Sequence, residues 1–428
     1  MRVKDSLTDL RDSYISPSFS LSYSSPIHIV RGKGQYLYDS EGIKYLDGVN
    51  NIQHVGHSHP KVIKAANDQF KLLNTNTRYL DETILNYARS LAKKLPKQLN
   101  KFFFTNSGSE SNDLALRLAR KYTNSSETIV LDGAYHGHLT SLIDISPYKY
   151  NGPGGDGPPD YVHSVPMPDP FRGKYRGPES GPLYFKELNN VLKKLKLDQK
   201  SIPSFISESV MGCGGQIFPP IDFLKASYDA IKNGGGLCIA DEVQIGFGRL
   251  GKCFWGFELQ RLKPDIVTLG KSIGNGHPLS LVVTNDEIAE RFHSGMEYFN
   301  SFGGNPVSCA IGHSVLKIID EEGLQQNAFK VGSKLIKMLN DLKSKYGLIG
   351  DVRGEGLFIG VEIIEDNQSL IPSGSVAKYL VEQMKENGIL LSTDGPDRNV
   401  IKIKPPMVFN DEDALFLVET FDKILLKY

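Results

Sequence analysis

Short apolar runs alternate with helix-patterned polar stretches between about residues 100 and 310. "KFFFT" (101–105) precedes "SESNDLALRLARKY". "TIVLD" (128–132), "SFISESV" (204–210), "GLCIADEV" (236–243) and "DIVTLG" (265–270) each run into polar or Gly-containing segments. Runs this short, rich in Ile, Val and Phe, predict buried strands of a mostly parallel sheet with helical crossovers. Such sheets bind ligands beyond the carboxyl ends of their strands, so the residues just after each run are the candidates for chemistry. From about 311 the pattern changes. A helical "CAIGHSVLKIIDEEG" leads to "LFIGVEII", a helix around "VAKYLVEQMKENG", then "ILLST", "NVIKIKPP" and a last helix over "DEDALFLVETFDKILLKY". This predicts a smaller α+β domain. Near the N-terminus "IVRGKGQYLYDSEGIKYLDG" alternates as a hairpin does and is expected to pack with it. The expected division is 1–48, 49–310 and 311–428. Residues 149–182 are dense in Gly and Pro and are expected to form a long loop, either plain surface or a lid whose Arg172, Lys174 and Arg176 contact an anion.

Charge narrows the partners. The 428 residues carry 49 Lys+Arg and 49 Asp+Glu, which argues against a general electrostatic grip on nucleic acid or an anionic membrane and leaves room for a local basic pocket for a small anion. No run of 18 apolar residues occurs, so no membrane span is expected, and the N-terminal stretch has no apolar core of signal-peptide length. Cys213, Cys238, Cys253 and Cys309 are scattered without a C-x-x-C pair, which points to a cytosolic protein without disulfides. His54, His57 and His59 in "HVGHSHP" match no zinc spacing and are expected to form a turn before a helix, so no metal is expected.

The strand ends carry the chemistry. Gly270-Lys271-Ser272 looks like the end of a P-loop, but that motif needs glycine at 265, and Asp265 stands there. The other use of a lysine at a strand end is a partly desolvated amine, nucleophilic toward an aldehyde. Ser107-Gly108-Ser109, between a strand and a helix, suits an anion, or is simply a capped helix start with Ser109 as cap and Asn112 in the first turn. Asp241 and Glu242 end an apolar strand and must find partners: a metal, a lysine or a protonated ring nitrogen. Tyr135 and His136 follow another strand, where an aromatic face covers a flat ligand, and Glu208 ends a third. A phosphate cup, an aromatic plate, an acid for a ring nitrogen and an aldehyde-binding lysine are the four needs of pyridoxal phosphate.

"NSGSESNDLALRLAR", "AYHGH", "ADEVQIGFGR", "LGKSIGNGHP", "SFGGNP" and "DVRGEGLFIG", in this order from about 45 to 410, resemble the class III, fold-type I family of pyridoxal-phosphate-dependent aminotransferases. The resemblance implies an α/β fold with a mostly parallel seven-stranded sheet, a smaller α+β domain, and a homodimer with active sites at the interface. It implies Lys271 as the Schiff-base residue, Asp241 at the ring nitrogen and Tyr135 against the ring face. Gln244 would lie near the ring hydroxyl, with Val243, Glu208, His136 and Asn112 around the cofactor. Ser107, Gly108 and Ser109 would take the phosphate. Ser301 stands where the family usually has a threonine that reaches the phosphate in the partner subunit.

One departure bears on the substrate. Relatives acting on amino acids commonly carry an arginine before "PP" that clamps a carboxylate; the matching residue here is Lys402, and the position of its shielding glutamate aligns with Cys213. Lysine is a point charge without arginine's bidentate grip. "LLNTNTRYL", "SLIDISPYKY", "GGQIFPP", "EYFNSFGG" and "LLSTDGPDRNVIKIKPPM" are similar to the ethanolamine-phosphate phospho-lyase branch. That implies a phosphorylated amine as substrate, with Lys402, Arg78 and the 172–176 loop as candidates for its phosphate and Asn50 and Asn51 bordering the pocket. The alternative is a true aminotransferase with a keto-acid acceptor. A catalytically silent protein of the same fold, or a nucleotide-binding protein, would show damage to the Lys271, Asp241 and Tyr135 set, and none is present.

Overall fold

The computed structural model describes residues 3–428. Its apolar runs become strands of three sheets. The N-terminal stretch forms β1 (Ile29–Lys33), β2 (Tyr36–Asp39) and β3 (Lys44–Asp47). The central sheet is built from β4 (Lys101–Thr105), β5 (Thr128–Leu131), β6 (Val162–Val165), β7 (Ser204–Glu208), β8 (Cys238–Asp241), β9 (Ile266–Leu269) and β10 (Ser280–Thr284). The C-terminal part adds β11 (Ile349–Glu355), β12 (Phe358–Ile363), β13 (Ile389–Leu390), β14 (Ser392–Asp394) and β15 (Val400–Ile403).

The central order is β4-β10-β9-β8-β7-β5-β6. Only β10 runs against its neighbours; the other pairs are parallel. Every residue of β5, β7, β8, β9 and β10 is buried, as continuous apolar runs in a sheet covered on both faces require. Helices such as Gly108–Thr123, Gly181–Leu197 and Phe223–Asn233 make the crossovers. Register then sets the chemistry: Glu208 lies opposite Asp241, and Asp241 opposite Thr268. Strand ends far apart in sequence meet at one rim.

Two differences from the sequence reading have local causes. The Gly/Pro-rich stretch 149–182 is not a continuous loop, because "VHSV" inside it forms the edge strand β6, parallel to β5. Four residues between polar flanks carry too weak a pattern to stand out, but an edge strand needs only one partner. "ILLST" is not one strand either. Ile389–Leu390 pairs with β3 in the sheet β1-β2-β3-β13, and Ser392–Asp394 pairs with β15 in the antiparallel sheet β11-β12-β15-β14. The hairpin region is thereby hydrogen-bonded to the C-terminal part.

Within 172–176, Arg172 ties this stretch to the C-terminal part and Lys174 to the helix Gly181–Leu197. Arg172 pairs with Glu362 and, at 2.9 Å, with Asp397, while Lys174 pairs with Glu187 at 2.8 Å. Arg353 joins Glu362 at 2.6 Å and donates to the Gly215 carbonyl at 2.7 Å. His54 bonds the Phe247 carbonyl at 2.8 Å, His57 pairs with Asp47 at 2.7 Å, and His59 caps the helix Pro60–Leu72. No helix among the described residues is long and apolar enough to cross a membrane.

Candidate active site

The helix Gly108–Thr123 starts one turn beyond the end of β4, and its cap is Ser107 rather than Ser109: the Ser107 hydroxyl accepts from the Glu110 amide at 3.2 Å. Ser109 is thus free to line a cavity of about 200 Å³ at the strand rim. Gly108, Asn112, Tyr135, His136, Glu208, Asp241, Val243, Gln244 and Lys271 line it too. All are residues that the sequence marked out. Gly137 and His138 join them unannounced; His138 donates its amide to Ser109 Oγ at 3.2 Å. The close approach of three strand ends demands glycine here. A Cβ on Gly108 would sit 2.8 Å from the Val243 side chain, and one on Gly270 would lie 3.3 Å from Gly108 Cα.

Asp241 is buried and held from three sides. Its Oδ2 accepts from Asn112 Nδ2 and His136 Nδ1, each at 2.8 Å, and its Oδ1 from the Val243 amide at 3.1 Å. A carboxylate is acceptor-only, so His136 carries its proton on Nδ1. Glu208, across the ladder, accepts from the Gly212 amide at 3.0 Å. Burial, and then the Asp241 charge, push its carboxyl up to about 7. Glu242 points the other way and is spoken for by Ser209 and the amides of Gly256 and Phe257. Lys271 follows β9 with φ at +36°, a conformation rarely kept by a residue with a side chain unless the surroundings enforce it. Tyr135 stands edge-on to Tyr148, ring centroids 6.0 Å apart.

Several buried atoms at this rim have no hydrogen-bond partner among the described residues: Glu208 Oε2, Asn112 Oδ1 and His136 Nε2. Unpartnered polar atoms are costly in a protein interior, and a polar ligand relieves them. The cavity offers a helix N-terminus for an anion, a carboxylate for a cationic ring atom and a lysine for an aldehyde. This donor set fits pyridoxal phosphate.

A second cavity, of about 440 Å³, meets the first at Gln244. Asn50, Asn51, Tyr23, Ser392 and Lys402 line it, together with Lys404, which the sequence reading passed over. Alternation along β15 turns both lysines the same way, onto Asp394. Lys402 Nζ lies 2.9 Å from Asp394 Oδ1 and Lys404 Nζ 3.3 Å from Oδ2, with Gln216 donating to Oδ2 at 2.8 Å. Burial pulls Lys402 down, but Asp394 outweighs it and the net shift is upward. For Lys404 burial wins and the ammonium is held below its usual range. Asp394 opposes its own burial through both lysines and ends below the usual carboxylate range. Arg78 lines neither cavity; it pairs with Glu297 at 3.1 Å on the surface. Ser301 is exposed and also lines neither. Cys213 is half-buried beside Gln244, and burial pushes its thiol up to about 12.

The family model for "Aminotransferase class-III" matches residues 20–425. The chain belongs to the class III aminotransferase family. Its cofactor is accordingly pyridoxal phosphate. It is 49% identical over 413 residues to a Drosophila melanogaster protein named alanine–glyoxylate aminotransferase 2-like, covering 95% of this chain and 84% of the relative. It is 40% identical over 440 residues to ethanolamine-phosphate phospho-lyase homolog 1 of Caenorhabditis elegans, covering 99% and 94%. Among solved structures, an Arthrobacter phospholyase in complex with phosphoethanolamine superposes with a TM-score of 0.93 at 37% identity, over 99% of this chain and all of that one.

Proposed function

We propose that this class III enzyme is a phospho-lyase that eliminates phosphate and ammonia from a phosphorylated amino alcohol. For ethanolamine phosphate the balance is one substrate and one water giving acetaldehyde, ammonia and phosphate. The observation that carries the reading is the second cavity, where two ammonium groups face one carboxylate. An excess positive charge in a partly desolvated pocket suits a dianionic phosphate. The likeness to the Caenorhabditis and Arthrobacter proteins supports the same reading.

Bound pyridoxal phosphate supplies an electron sink for the carbon next to nitrogen. Asp241 would hold the proton of the cationic ring nitrogen, and Asn112 and His136 keep its carboxylate aimed. The amides around Gly108 and Ser109, with the Ser107-capped helix, hold the cofactor phosphate. The Lys271 amine would take the proton from the carbon bearing nitrogen. The bond from the neighbouring carbon to the phosphate oxygen then breaks, and phosphate leaves with the electron pair. Lys402 and Lys404 hold that phosphate, and Asn50 and Tyr135 bound the space around the substrate.

The division at about residues 48 and 310 belongs to this proposal, supported by the pairing of β3 with β13. So does a homodimer with the sites at its interface. Its support is the exposed apolar side chains of Leu72, Leu80, Met296 and Phe302, the last next to Ser301 in the chain. Four unpaired cysteines support a reducing, cytosolic setting.

Purified holoenzyme given phosphoethanolamine and no keto acid is expected to release phosphate and ammonia in equal amounts. The 49% identity to the Drosophila protein favours a second reading, transamination. Background phosphate release with brisk transfer to pyruvate or 2-oxoglutarate would establish that reading and defeat the first.

A further inference from the structure

Gln244 walls both cavities, and its orientation is fixed from the substrate side. Lys404 Nζ lies 3.3 Å from Gln244 Oε1, and Asn51 Nδ2 lies 3.3 Å from the same oxygen. An ammonium has three donors and no acceptor, so the amide group facing it must be the oxygen. The NH₂ is therefore turned away from β15. It passes over Gly212, where a Cβ would come within 2.4 Å of Nε2, and points toward Cys213 Sγ at 3.8 Å. Gly212 is the residue that lets it approach. Lys404 is itself anchored: 2% exposed, bonded to Asp394 and seated 4.5 Å from the centre of the Phe358 ring.

We propose that Lys404 is a positioning residue: its ammonium locks the side-chain amide of Gln244, at the wall of the cofactor cavity, with the oxygen turned to Lys404 and the NH₂ turned away from it. The strand that walls the substrate cavity thereby sets a hydrogen-bond donor on the cofactor. The inference rests on the cofactor and on these contacts, and stands whether the substrate is a phosphate ester or an amino acid.

A donor and a nearby positive charge favour the less protonated form of the bound cofactor, so losing them raises the midpoint of its absorbance–pH titration. The charged or titratable groups around the amide are Lys402, Lys404, Asp394, Glu208, Lys271 and Cys213. The experiment is a visible-absorbance titration of the substrate-free holoenzyme, wild type against Lys404→Met and Lys402→Met. Both variants remove one charge from the same carboxylate, but only Lys404 bonds Gln244. Lys404→Met is expected to raise the midpoint by about one unit, and Lys402→Met by less than half as much. An unmoved midpoint in Lys404→Met, or an equal shift in both variants, overturns the proposal. If Lys404→Met does not load cofactor, a crystal structure of wild-type holoenzyme decides. Lys404 Nζ within about 3.5 Å of Gln244 Oε1 supports it, and a wider gap overturns it.

Discussion

Replacing Asp394 by asparagine keeps the shape of the side chain and removes the one carboxylate among the described residues that forms ion pairs with Lys402 and Lys404. Three donors converge on it within 3.3 Å. Removing one partner of a buried ion pair costs about 3–5 kcal/mol, because the remaining charge is left uncompensated. The two lysine contacts share one carboxylate, so their losses do not simply add. Unfolding carries ~2.1 cal/mol/K per residue, or ~0.9 kcal/mol/K over 428 residues. Asp394→Asn should therefore lower Tm by roughly 3–6 °C at pH 7. The pH dependence gives a second handle. In the wild type, Lys402 sits above its usual pKa through Asp394, so its contribution is complete below the ordinary lysine range and lost above it. In the variant Asp394 no longer offsets burial, and burial, the largest influence on each, pulls both ammonium groups down. The folded variant then binds fewer protons than its unfolded chain and gains stability as pH rises. The gap in Tm between the two proteins should narrow from pH 7 toward pH 10, read by differential scanning calorimetry of holoenzyme. A loss under about 1 °C, or a gap that does not change with pH, would refute the buried-charge account.

Lys271→Ala should abolish turnover and the visible absorbance of covalently held cofactor, since no other lysine lines the first cavity; retention of both would remove Lys271 from its role. Glu208→Gln tests the buried carboxyl pushed up to about 7. Between the ordinary carboxylate range and that value the folded state binds more protons than the unfolded, so Glu208's contribution is present at low pH and lost as pH rises through about 7. The neutral variant lacks that slope. Its Tm relative to wild type should climb from pH 5 to pH 8, and parallel profiles would count against it.

The five apolar runs that the sequence displays most plainly are strands of the central sheet, and four of them are buried throughout, because a strand covered on both faces needs no alternation; the edge strand β4 is buried only at its end. The rim residues that follow them converge for the same reason. Strand β6 was illegible, since its "VHSV" is short, half polar and flanked by prolines. The split of "ILLST" between two sheets turns on Leu391, and no local pattern says which residue will change partners. Lys402 could be read by its place before "PP". Lys404 could not, because its importance lies in Asp394 and Gln244, partners fixed only when β14 and β15 pair. A signal was present in the alternation of "IKIK", which turns both lysines to one side.

The two cavities draw on different stretches of chain. The first cavity is lined only by residues between 108 and 271, the second, apart from Gln244, by residues 21–51 and 390–404, and Gln244 alone belongs to both. On the proposed function, reaction and address are written separately, in the middle of the chain and toward its two ends. Substitutions accumulating in the terminal segments can redirect the enzyme to a new amine while the machinery that moves protons stays as it is. A family built this way can change its diet without relearning its chemistry, and the glutamine at the seam is where such a change would first be felt.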